Sequence, residues 1–405
     1  MVVPTTSSKM PKALIGALSA ATLLVACSAG SDVPAPPVSH ATPSMAAGPG
    51  PAPAPQAPAQ VPQAPAPACG DPATAVAAMS TRDKLAQLLM VGVTGPADAR
   101  AVVDTHHVGG VMVGSWTDLS MLSNGSLAEI AASAGPLPLA VSVDEEGGRV
   151  SRLSGLIGSQ PSARVLAQTR TADEVYQIAR DRGAKMRGLG ITIDFAPVVD
   201  ITDAPADTVI GDRSFGSDPA TVTEYAGAYA RGLRDAGVLP VLKHFPGHGS
   251  ASGDSHSGGV STPPIDQLQE VDLVPYRTLT TQAPVGVMVG HMSVPGLTGS
   301  EPASLSPQVY GLLRSGGYGG PPFNGPVFTD DLSGMRAISD RLGVGEAVLR
   351  SLQAGADVAL WLTTAEVPAV LDRLENAVDA GELSMAFVDG AVTRIAAMKG
   401  PSPRC

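Results

Sequence analysis

Lys243-His244-Phe245-Pro246-Gly247-His248-Gly249-Ser250-Ala251-Ser252-Gly253-Asp254-Ser255-His256 is the stretch on which the reading of this chain turns. It grows out of an apolar run, Val238-Leu239-Pro240-Val241-Leu242, and changes abruptly to glycine, serine and ionisable groups. A buried strand that breaks into a polar loop is a common way to carry side chains to a site. Three of the seven histidines of the chain fall inside the stretch. Its first part, Lys243 and His244, belongs to the strand and is rigid. Its second part, with Asp254 and His256, lies among glycines and has more backbone freedom.

Three readings of the stretch compete. It is a solvated glycine-rich loop; or a metal site built from His244, His248, Asp254 and His256; or an acid/base site in which a loop histidine works beside a carboxylate. The spacing of His244 and His248 suits one face of a helix, but Pro246-Gly247 between them breaks any helix, which weakens the metal reading.

Working outward, apolar runs ending in polar residues or glycine recur along the chain. The pattern predicts strands over 88–93, 110–113, 139–143, 191–197, 239–243, 285–290, 326–329 and 358–362, with helical segments such as 172–187 and 220–236 between them. Ser80, with Asp83 three residues on, reads as a helix start. Strands alternating with helices in this number predict a (β/α)8 barrel, with a doubly wound open sheet as the alternative. The span 69–405 exceeds the ~250 residues typical of such a barrel but lies within its range. Ionisable residues sit at the ends of these runs: Asp144, Asp200, Lys243 with His244, His291 and Asp330. Barrel enzymes place their chemistry at that rim. A single acid after a strand also serves as a helix cap, the plainer reading of Asp144 and Asp200.

The chain has 405 residues and a formal net charge of −11, with 44% hydrophobic residues. The apolar content is enough for a sizeable core. The acidic balance argues against a nucleic-acid partner, since nothing would neutralise phosphates. No Gly-x-Gly-x-x-Gly follows a strand and no phosphate loop is present, so no nucleotide cofactor is implied. No Gly-x-Ser-x-Gly elbow joins a strand to a helix, which disfavours a serine hydrolase. A carboxylate, Asp330, with a separate loop histidine paired to Asp254 fits the logic of glycoside cleavage.

The first part of the chain reads as an address. Lys9 and Lys12 precede an apolar run over 13–26 that ends Leu24-Val25-Ala26-Cys27. A basic start, a short apolar core and small residues before a cut describe an export signal over 1–26. The ending resembles a bacterial lipobox with Cys27 as the lipidated residue. Residues 28–68 are dominated by proline and alanine and read, with Cys27, as an extended tether. The chain is thus expected to be exported and lipid-anchored at the outer face of the cell membrane. Cys69 and Cys405 bracket the remaining domain, and a bridge between them is expected in an exported protein.

Five motifs, taken together, resemble glycoside hydrolase family 3, in particular its single-domain β-N-acetylglucosaminidases. They are Asp144-Glu145-Glu146-Gly147-Gly148-Arg149-Val150, Phe195-Ala196-Pro197-Val198-Val199-Asp200, Arg213-Ser214-Phe215-Gly216, the opening stretch through Asp254-Ser255-His256, and Thr329-Asp330-Asp331-Leu332-Ser333. The resemblance implies a retaining exo-hydrolase with a barrel fold, no metal requirement, and Asp330 as nucleophile. It implies His256 as acid/base, oriented by Asp254. Asp144, Arg152, Arg213, Lys243 and His244 fall at positions that bind sugar hydroxyls in the family, and forked guanidiniums and carboxylates suit that task. Asp331 is expected to be structural. Departures are Ser250-Ala251 where the family usually has Asp-Thr, Asp194 where Asn is usual, and an insert over 319–324 ahead of the seventh strand. The expected substrate is a cell-wall (peptidoglycan) fragment or similar small carbohydrate, and the expected protein a monomer. The rival readings are a β-glucosidase of the same family, a non-catalytic muropeptide-binding lipoprotein, and a metal hydrolase.

Overall fold

Eight runs rich in Val, Leu, Ile and Met form parallel strands in a computed structural model that describes residues 70–282 and 284–401. They are β1 (Leu89–Val93), β2 (Gly110–Val113), β3 (Ala140–Val143), β4 (Ile193–Asp194), β5 (Leu239–Phe245), β6 (Gly286–Val289), β7 (Val327–Asp331) and β8 (Val358–Trp361). Each pairs with its sequence neighbours, and β8 closes on β1 through Met90 and Leu360, giving a closed eight-stranded barrel. Nearly every strand residue is buried, as parallel strands covered on both faces require. Inside, Phe195 and Phe328 meet edge to face with ring centroids 5.6 Å apart. The expected (β/α)8 barrel is what forms, and the open sheet is excluded. The signal segment, the tether, Cys27 and both halves of the Cys69–Cys405 pair lie outside the described residues.

Helices cover the outside of the barrel. Ser80 caps Thr81–Gln87 by accepting the Asp83 N–H at 3.1 Å. Thr171 and Glu174 form a reciprocal capping box on Ala172–Gly188. That helix packs against Pro219–Asp235 so closely that a Cβ on Gly232 would strike the Tyr176 carbonyl. Among the described residues no helix is long and apolar enough to cross a membrane.

Three strands, β4, β5 and β7, differ from expectation by two residues or more at an end, and the last two lengthen at the rim. β4 is shorter than 191–197, covering only Ile193–Asp194. The chain nevertheless keeps beside β5, with Val241 N–H donating to Ala196 and Val199 N–H to Lys243. β5 runs on through Phe245, which pairs with Val289, and β7 through Asp331, which pairs with Leu360. Asp330, expected just past its strand, is therefore a strand residue as Lys243 and His244 are, with less freedom than a loop residue would have.

Candidate active site

The C-terminal ends of β3, β5 and β7 bring together groups from three distant parts of the chain. Lys243 Nζ lies 2.6 Å from Asp144 Oδ1 and 2.6 Å from Glu146 Oε1. Arg213 grips Glu146 with two parallel bonds, Nε to Oε2 and the second guanidinium nitrogen to Oε1, both 2.8 Å. This forked geometry is a strong form of ion pairing. Burial opposes the charge on Glu146, and Arg213 and Lys243 overcome it, holding the carboxyl well below the usual range. Burial likewise opposes the charge on Lys243, and Asp144 and Glu146 restore it.

His244 is oriented by Asp200, whose Oδ2 lies 2.7 Å from Nδ1 of the ring. The other oxygen of Asp200 accepts the backbone N–H groups of His244 (3.2 Å) and His248 (2.7 Å). Asp200 is thus an organiser of the loop and not a helix cap. Arg213 approaches the far nitrogen of His244 at 3.4 Å. His248 is buried, and burial lowers its pKa.

Asp330 keeps partial exposure at the mouth. Burial pushes its pKa up, but neighbouring His244, His291 and Lys243 pull it down to about 2, so it is ionised at neutral pH. His291 fixes the backbone here: its Nε2 donates to the Asp331 carbonyl at 2.8 Å, which leaves Nδ1 to accept from the Ser304 hydroxyl at 2.7 Å. Asp331 turns away and ties down the next turn, accepting from Ser333 N–H and Oγ and from Gly334 N–H. The structural role expected of Asp331 matches this geometry.

His256 and Asp254 are in contact. The ring Nδ1 and the backbone N–H of His256 both reach Asp254 Oδ1, at 2.8 and 2.9 Å. The histidine side chain is 63% exposed, and it hydrogen-bonds to Asp254 and not to Asp330. Ser255 between them is buried, its carbonyl accepting from Ala337 N–H at 3.1 Å. The loop therefore has a fixed midpoint and carries its two ionisable side chains on either side of it.

Glu145, fully buried, organises the β3 loop. It accepts from Ser151 Oγ and from the Arg152 and Leu153 N–H groups, and pairs with Arg182. Gly147 in that loop has φ +90° and no room for a side chain against Gln160 and Pro161. Arg152 is held by its backbone, and its side chain stays partly exposed at the rim. Arg149 bonds Asp212 at 2.9 Å, which joins this loop to the segment that presents Arg213. Asp194 lies beneath, where burial raises its pKa well above the usual range. Its Oδ1 accepts the Glu145 N–H at 2.9 Å.

Sequence reasoning gave Glu145 and Glu146 no role of their own, read Asp200 most plainly as a helix cap, and offered His248 only as a metal ligand. Glu146 had a signal: three consecutive acids after an apolar run, in a chain with only 16% charged residues, will not all face solvent. Asp200 had one in its place at a strand end. Among the described residues no group of three or more His, Cys, Asp or Glu is placed to hold a metal ion.

Comparison with known proteins gives the family of the chain. Residues 80–398 match the model of the glycosyl hydrolase family 3 N terminal domain. The chain is 67% identical over 399 residues to the beta-hexosaminidase LpqI of Mycobacterium tuberculosis, covering 98% of this chain and 99% of the relative. The solved structure of M. tuberculosis LpqI superposes with a TM-score of 0.83 at 72% identity, covering 85% of this chain and 100% of that one. A family 3 β-N-acetylglucosaminidase from a Paenibacillus species superposes with a TM-score of 0.74 at 35% identity, covering 80% of this chain and 62% of that one. With a closed barrel, an ionised carboxylate at the end of β7 and a family match spanning nearly all of the described residues, the chain belongs to glycosyl hydrolase family 3.

Proposed function

We infer that this chain is a retaining exo-β-N-acetylglucosaminidase that removes terminal N-acetylglucosamine from cell-wall (peptidoglycan) fragments. The observation that carries the reading is the place of Asp330: an aspartate at the end of β7 in the barrel mouth, beside His244, His291 and Lys243, in a chain whose relatives include a hexosaminidase and a β-N-acetylglucosaminidase.

The chemistry has two steps. An Asp330 oxygen attacks the anomeric carbon and the bond to the departing oxygen breaks, while His256 gives that oxygen its proton. Water then attacks the same carbon as His256 takes its proton, and the ester to Asp330 is released. The hydrogen bond from Nδ1 of His256 to Asp254 leaves Nε2 as the atom that exchanges the proton. Since His256 stands exposed on its loop, the loop closes around its Ser255 anchor to bring the ring to substrate. Asp144, Arg213, Lys243 and His244 meet the sugar hydroxyls, with Arg152 reaching in from the rim.

The envelope location rests on the basic start, the apolar run and Cys27, followed by a proline- and alanine-rich tether. Lipidation there holds the barrel at the outer face of the membrane, and Cys69 and Cys405 close the domain with a bridge. Fractionating cells that express Cys27→Ala tests the anchor: the variant leaves the membrane fraction, whereas retention equal to wild type contradicts it. Peptide mapping without reduction yields the linked Cys69–Cys405 pair, whereas two free thiols contradict the bridge.

The activity is tested by sugar release from a pair of aryl glycosides, one N-acetylglucosaminyl and one glucosyl. Preference for the first supports the reading. Preference for the second makes the chain a β-glucosidase, and release from neither makes it a binding lipoprotein.

A further inference from the structure

We propose that Trp116 is an acceptor-side platform, the surface on which a second pyranose ring lies when the terminal sugar is bound in the mouth. The proposal rests on the exo-glycosidase reading above.

An isolated exposed hydrophobic residue needs no explanation by itself. Trp116 is set apart by where it sits. β2 ends at Val113, whose register partner is Val143 at the end of β3. Carried one residue past the last paired residues, the same register sets Gly114 against Asp144, and register partners in parallel strands face the same side. Asp144 turns into the mouth to reach Lys243. Gly114 has no side chain to follow it. Instead, the six-membered ring of Trp116 fills that place, with Cη2, Cζ2 and Cε2 all within 2.6 Å of where a Gly114 Cβ would stand. The indole is thus seated at the mouth beside Asp144, yet remains 43% exposed.

Its seat is fixed. Thr117 Oγ1 accepts from Gly114 N–H at 3.0 Å and donates to the Val93 carbonyl at 2.6 Å. Asp118 N–H donates to the Thr94 carbonyl at 2.9 Å. The turn that presents the indole is tied to the end of β1, so ring exposure is not the product of a loose loop. Leu156, 40% exposed, lies in the short helix Ser154–Ile157 that follows β3.

The chemistry of the two halves of a substrate divides accordingly. Charged groups around Lys243 suit the hydroxyls of the terminal sugar. A second ring has no such cluster to meet, but its C–H face is apolar and matches an open indole face. An exo-acting enzyme must let that second ring emerge at the rim, where Trp116 stands. The ligand class is therefore a β-linked disaccharide or longer chain ending in N-acetylglucosamine.

Two measurements test this. In the first, kcat/KM is determined for wild type, Trp116→Ala and Trp116→Phe on an N-acetylglucosaminyl azide, whose leaving group has no ring, and on the β-linked disaccharide of N-acetylglucosamine. Trp116→Ala should lose about 10-fold on the disaccharide and little on the azide, with Trp116→Phe between. Equal losses on both, or none on the disaccharide, overturn the proposal. In the second, tryptophan fluorescence is followed while the Asp330→Ala variant is titrated with monosaccharide and disaccharide. The only other tryptophan, Trp361, is fully buried. The disaccharide should shift the emission, the monosaccharide should not, and Trp116→Phe should abolish the shift. The same shift with both sugars, or with neither, contradicts the platform. If wild type releases N-acetylglucosamine from neither compound, the hydrolase reading fails, and the fluorescence titration still decides the platform.

Discussion

Lys243 and Asp144, ninety-nine residues apart in the chain, meet at 2.6 Å across the mouth of the barrel. Lys243 spends its remaining reach on Glu146, which Arg213 grips from the other side. Glu146 is therefore the common anchor for two cations that face the sugar. Glu146→Gln keeps the shape and removes the charge, so both cations lose their fixed positions. We expect kcat/KM to fall about 100-fold, mostly through KM, because small displacements of positioning groups are costly. Arg213, buried and left without its carboxylate while Lys243 keeps Asp144, should also lower stability by about 3–5 kcal/mol. Steady-state kinetics and thermal unfolding check both, and unchanged kinetics would remove Glu146 from the site.

His256 donates its proton to the leaving oxygen in the proposed chemistry, so its value depends on how much the leaving group needs that proton. His256→Ala should lose at least 100-fold on an alkyl glycoside or a disaccharide, in keeping with general acid catalysis. On a dinitrophenyl glycoside, which departs unaided, the loss in the first step should be small. Equal loss on both substrates would assign the acid to another group.

Two carboxyls give opposite pH dependences. Asp330 is held down to about 2, so its contribution to stability is present above its unfolded value of about 3.9 and is lost as pH falls through about 2. Asp272, 3% exposed and with Oδ1 unpartnered among the described residues, is pushed up to about 7 by burial and by nearby Asp200. Between pH ~3.9 and 7 the unfolded chain binds fewer protons at this position than the folded one, so stability falls as pH rises. The loss is roughly 4 kcal/mol at most. Asp272→Asn, neutral at every pH, should flatten this slope and unfold at a higher temperature than wild type at pH 8. Parallel melting curves for the two proteins from pH 4 to 8 would contradict it.

Much of the barrel was legible because its strands are short, apolar and bounded by polar turns, a pattern that survives in one dimension. The rim was legible where a charge follows such a run, as at Asp144, Lys243 and Asp330. The boundaries at Phe245 and Asp331 were not, because continued pairing with β6 and β8 holds those residues in the strand, and a partner strand is invisible to local composition. Glu146 and Asp200 were hidden for a similar reason. Whether an acid caps a helix, faces water or grips an arginine depends on what the fold brings to it from far along the chain. The loop of Asp254 and His256 shows the same limit: its glycines suggested freedom, while the buried anchor at Ser255 depends on Ala337 in the short helix Arg336–Ser339 after β7.

The central claim is that Asp330 forms the covalent bond to the sugar. A fluoro-sugar inactivator of N-acetylglucosaminyl configuration slows both steps through their oxocarbenium-like transition states and lets the ester accumulate. Mass spectrometry of the digested, inactivated enzyme should place one added sugar on the peptide that contains Asp330, and Asp330→Ala should fold, fail to turn over and take up no label. A label on Asp144, Asp200 or Asp331, or near-normal turnover by Asp330→Ala, would contradict the account.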